Sequence, residues 1–123
     1  MEEQRRTVRI DLNAGVSLRI DSQGMVHKAL ASRALSTEGI QLLLPGRLPC
    51  KEPVELEIFL PNQGSPLKAS GEVAWVEHLG DVYEGFYMVG IRFVELAESA
   101  RQAIEGLIAE ELNKLKPLPS EAS

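Results

Sequence analysis

A chain of 123 residues, 44% hydrophobic and 25% charged, has the makeup of one ordinary water-soluble domain, long enough to bury a core without disulfide or metal staples. Its single cysteine, Cys50, excludes a disulfide framework and a Cys-based metal cluster and points to a reducing compartment. A net charge of −5 excludes a general nucleic-acid binder, because no broad basic face is left to displace counterions.

No stretch approaches the roughly 20 apolar residues of a membrane span. Residues 1–15 lack the apolar core of a secretory signal, so the expectation is a cytoplasmic protein without membrane insertion. The charge is unevenly placed: residues 1–33 carry +2, residues 34–96 carry −5 and residues 97–123 carry −2. The excess of cations at the start comes from "EEQRRTVRI", which holds Arg5, Arg6 and Arg9 in a segment with no apolar period. Such a run is either a solvated tail or a site for a small anion.

Strand patterns follow. "VSLRI" (16–20) alternates apolar and polar residues and ends at an Asp-Ser-Gln-Gly turn. "VHKALASRAL" (26–35) reads as a second strand and "GIQLLL" (39–44) as a third, ending at Pro45-Gly46. "VELEIFL" (54–60) puts Val54, Leu56, Ile58 and Leu60 on one face and Glu55 and Glu57 on the other. "ASGEVAWVEHL" (69–79) and "YMVGIRFVEL" (87–96) complete six strands, which at this spacing predict an antiparallel barrel or sandwich. The period then changes. Ala100, Ala103, Ile104, Leu107, Ile108, Leu112 and Leu115 recur at three- and four-residue steps, predicting one amphipathic helix stopped by Pro117. The expected organisation is a flexible arginine arm over 1–12, a barrel over 13–96, a helix over 97–116 and a disordered tail over 117–123.

Catalytic patterns are lacking, and the chain reads as a non-enzyme. His27 and His78 have no ligand spacing around them, Ser36 has no Gly-x-Ser-x-Gly elbow, and no phosphate-cradling glycine loop is present. Glu55 and Glu57 follow the strand alternation and read as a solvated face.

One further element stands beside the arginine run. In "RALSTEGIQL" (33–42), Ser36 and Gly39 lie three apart at a turn between strands, where the hydroxyl and the bare glycine backbone are available to something close by. In this order, and ahead of this strand series, the two elements resemble the PilZ domain family, the bacterial receptor module for cyclic di-GMP. That family is marked by R-x-x-x-R in an N-terminal arm and [D/N]-x-S-x-x-G at a later strand turn. Arg5-Arg6-Thr7-Val8-Arg9 matches the first, and Ala34-Leu35-Ser36-Thr37-Glu38-Gly39 matches the second except at its first position. "GEVAWV" (71–76), "YMVGIRFVEL" and the helix also look like the family's C-terminal half.

The resemblance implies a six-stranded PilZ-type antiparallel β-barrel with a C-terminal amphipathic helix, no cofactor, and cyclic di-GMP as ligand. It implies Arg5, Arg6, Arg9, Ser36 and Gly39 as ligand contacts, with Arg33, Ala34 and Trp75 as further candidates. An arginine fork matches phosphate oxygens and equally the O6/N7 edge of guanine, and its flat face stacks on a base. Ala34 departs from the pattern, because it cannot accept from guanine N1–H and N2–H, a charged hydrogen bond worth about 1.5–3 kcal/mol. Trp75 is open to two readings, a core or rim residue and a contact beside guanine; Arg33 is an exposed strand arginine or a contact. The implied mechanism orders residues 2–12 over the barrel and so changes the surface offered to a bacterial protein partner in motility, biofilm, secretion or virulence. The alternative is a degenerate, nucleotide-independent adaptor. In either case the apolar stripe of the helix offers a homodimer contact.

Overall fold

Alternation decides which side of each strand faces inward, and the computed structural model shows the result over residues 8–11, 14–20, 25–61, 63–80 and 84–115, the residues it describes. The strands are β1 (Gly15–Ile20), β2 (Met25–Lys28), β3 (Ala31–Arg33), β4 (Gly39–Leu44), β5 (Pro53–Phe59), β6 (Leu67–His78) and β7 (Tyr87–Leu96), followed by helix α1 (Glu98–Leu115). All neighbouring strands are antiparallel, in the order β2-β1-β5-β6-β7-β4-β3.

Register brings the apolar positions together across strands. Val16, Leu18 and Ile20 face Ile58, Leu56 and Val54, and all six are buried. Ile40 and Leu42 face Ile91 and Val89 in the same way. Each such aliphatic side chain removed from water contributes about 1.5–3 kcal/mol, which makes this interior the main source of stability. Helix α1 buries Ala100 and Ile104, with Ala103, Leu107 and Ile108 half-buried against the core. Leu112, beyond that contact, is exposed.

The six strands expected from the sequence become seven, because the segment read as one strand over 26–35 changes partners in its middle. Ala29 N–H donates to the Val16 carbonyl at 2.9 Å, while the next amide, Leu30, donates to the Leu43 carbonyl at 2.9 Å. The ladder to β1 therefore stops and a ladder to β4 begins, leaving β2 and β3 as separate strands. Ser32 Oγ also donates to the Ala14 carbonyl at 2.9 Å. This one segment joins both edges of the sheet and wraps it into a barrel. Among the described residues no helix is long and apolar enough to cross a membrane, and no cluster of His, Cys, Asp or Glu is placed to hold a metal.

Candidate functional site

The inward side chains of β4 and β7 leave Gly39, Gln41, Gly90 and Arg92 on the outer face, with Gly39 opposite Arg92 and Gln41 opposite Gly90. Both glycines are required by close approach. A Cβ at Gly39 would be driven into the Ile91 carbonyl oxygen, and one at Gly90 into the indole of Trp75. Trp75 reaches this face through a bulge. Pairing runs from Val73–Ile91 directly to Trp75–Gly90, so Ala74 is the extra residue in β6. Simple alternation from Ala69, Gly71 and Val73 would send Trp75 into the core. The inserted residue turns it outward instead, with its ring over Gly90 and 39% exposed.

The β3–β4 turn forms one wall. Ser36 N–H donates to the Gly39 carbonyl at 3.0 Å, and Ser36 Oγ accepts from Glu38 N–H at 3.0 Å. Phe93 N–H donates to the Glu38 carbonyl at 2.8 Å, which fastens the turn to β7. Ser36 is 2% exposed and is the buried polar side chain among the described residues. Its hydroxyl accepts within the turn and retains its own proton for donation. Ala34 adopts a left-handed backbone conformation with φ of +55°.

The N-terminal segment is tied to this turn. Ile10 is buried and exchanges two backbone bonds with Leu35, at 3.0 and 2.8 Å. Asp11 adds a side-chain bond, its Oδ1 accepting from Ala34 N–H at 3.0 Å. These contacts bring Arg9 to the mouth of a cavity of about 220 Å³ that Ala34, Ser36, Gly39 and Trp75 also line. Five of the residues singled out in the sequence thus share one site. Arg33 stands beside it, its Nε donating at 2.9 Å to Oε1 of Gln41, which lines the cavity. Arg5 and Arg6 lie outside the described residues, as do residues 1–7 and the tail over 117–123.

Sequence reasoning missed Glu38, Gln41, Ala74, Gly90 and Arg92 in the lining. Arg92 is the most consequential, a second guanidinium on the wall, paired with Glu72 of the neighbouring strand. Its signal was present in "VGIRFVEL", where Arg92 is the outward residue between two buried ones. Recognising it required knowing that β4 and the turn lie alongside. The site therefore offers two guanidinium forks, a flat indole and a buried hydroxyl, a set suited to a phosphorylated ligand with an aromatic base.

Comparison with known proteins gives the following. A family model, PilZ domain, matches residues 3–110. No curated protein matches the sequence. Among solved structures, the Bacillus subtilis inhibitor of motility MotI/DgrA is similar over 94% of this chain at 21% identity, with a TM-score of 0.74. The PilZ domain of YcgR from Escherichia coli, solved with c-di-GMP, is similar over 94% of this chain and all of its own, at 14% identity and a TM-score of 0.65. The K. pneumonia MrkH–c-di-GMP complex is similar over 93% of this chain at 14% identity, with a TM-score of 0.67. This chain spans about half the length of MotI/DgrA and of MrkH, 55% in each case.

Proposed function

This chain belongs to the PilZ domain family, matched over residues 3–110, and on that premise we propose that it is a cyclic di-GMP receptor that passes the signal to a protein partner. The observation that carries the reading is the convergence of Arg9, Ala34, Ser36, Gly39 and Trp75 on one cavity, although they come from the N-terminal segment, a turn and two strands. Two of the similar structures are named as c-di-GMP complexes, and a third as an inhibitor of motility.

In this reading Arg9 and Arg92 take phosphate oxygens or a guanine edge through their forks, and the exposed face of Trp75 stacks a guanine. Ser36 donates its hydroxyl proton to the ligand. The cavity, about 220 Å³, is smaller than the roughly 300–1,000 Å³ that encloses a drug-sized ligand. Part of a cyclic dinucleotide must stand outside it, and Arg5 and Arg6 are the cations assigned to that part. Closing residues 2–9 over the ligand changes the surface around the β3–β4 turn, which is the output. The protein acts as a non-catalytic module with no cofactor.

A thermal-shift titration tests the reading. Ligand at about 100 times Kd adds roughly 2.7 kcal/mol to stability, a rise of several degrees for a domain of this size. No movement at millimolar ligand would instead assign the chain to the nucleotide-independent adaptors that Ala34 favours.

A further inference from the structure

Ala34 has no side-chain acceptor to offer the cavity it lines, yet a carboxylate stands beside it. Asp11 Oδ1 accepts from the Ala34 amide at 3.0 Å, and the preceding residue, Ile10, is clamped to Leu35 by two backbone bonds. The carboxylate is thus held beside Ala34, a residue of the cavity wall, from the N-terminal segment rather than from the turn. It is exposed, and one amide proton occupies only part of its acceptor capacity of about four lone-pair sites.

We propose that Asp11 is the base-specificity residue of this site, accepting from N1–H and the 2-amino group of guanine with the acceptor sites left over from the Ala34 bond. The proposal rests on the receptor reading and adds the choice of base to it. Guanine presents two adjacent donors on that edge, and two carboxylate oxygens are their geometric complement. Adenine presents a lone pair at N1, which a carboxylate repels. Arg9, two residues away on the same segment, offsets the cost of bringing Asp11 near an anionic ligand.

The alternative is that Asp11 merely holds the turn. Asp11→Asn separates the two roles. The Ala34 N–H fixes the new amide with its oxygen toward the backbone, so the turn bond survives. The amide nitrogen then meets guanine's donors with donors of its own. The experiment is calorimetry on wild type and Asp11→Asn with cyclic di-GMP and with its inosine analogue, which lacks only the 2-amino groups. Wild type should prefer cyclic di-GMP by about tenfold or more, the loss expected for a charged hydrogen bond. Asp11→Asn should bind cyclic di-GMP about tenfold to a hundredfold more weakly, with the preference erased. Partial unfolding scales both affinities alike and leaves their ratio unchanged, so an unchanged preference in Asp11→Asn overturns the proposal while the receptor reading stands. A wild type that binds neither ligand overturns the receptor reading and the proposal with it.

Discussion

Ala34 is an L-residue held at φ of +55°, a conformation that costs an ordinary side chain about 1–2 kcal/mol and that Asn tolerates best. The turn bears that cost because Asp11 accepts its amide and the next two residues, Leu35 and Ser36, are buried. Ala34→Asn should therefore raise the melting temperature and, by adding an acceptor at the cavity, tighten cyclic di-GMP by about 0.5–1.5 kcal/mol. Ala34→Asp should gain less, because it sets a second carboxylate beside Asp11. Melting curves and calorimetry on the pair check this, and a larger gain from Asp would show that the two side chains do not meet. The structure puts Ser36 in the β3–β4 turn and Gly39 at the first position of β4, and the reasons for the two residues are mixed. Ser36 Oγ ties the turn to itself, and Gly39 is demanded by the Ile91 carbonyl whether or not a ligand is present. The first is local turn chemistry that the sequence shows, while the second is visible only with the partner strand β7 in place.

At the scale of elements, β4 and β7 were legible to the residue because each is an apolar-rich run bounded by turn residues or by a change of period, and they appear as Gly39–Leu44 and Tyr87–Leu96. The division of 25–33 between two partners was not, since hydrophobic period says nothing about which strand receives each amide. The position of Trp75 was hidden for a related reason, as one inserted residue in β6 reverses the face that alternation assigns. Gly39→Ala tests the close approach of β4 to β7. Its Cβ meets backbone that cannot swing aside, so stability should fall by about 1–3 kcal/mol in denaturant melts without ligand. Glu72→Gln tests the other wall. It weakens the pair that holds Arg92, an exposed pair contributing little to the fold, and should tighten ligand binding by freeing the guanidinium. Weaker binding would mean that Glu72 orients Arg92 rather than competing for it. Trp75 is the single tryptophan, so its fluorescence reports the cavity directly and should change saturably as a guanine stacks on it.

At the scale of the whole molecule, the barrel is a rigid frame on which the N-terminal segment is pinned at Ile10 and Asp11. Hydrogen exchange should find the Ile10 amide protected without ligand and the amides of residues 2–9 protected only with it. Protection at 2–9 already in the free protein would remove the switch while leaving the site intact. The central claim is that this cavity binds cyclic di-GMP through Arg9, and calorimetry on wild type, Arg9→Ala and Arg9→Lys tests it most directly. Wild type should give saturable heat with a low- to mid-micromolar Kd. Arg9→Ala should lose most of it without a change in melting temperature, since Arg9 is exposed. Arg9→Lys should recover part, keeping the charge but not the fork. Absence of heat in wild type at millimolar ligand, or equal binding by all three proteins, would contradict the account.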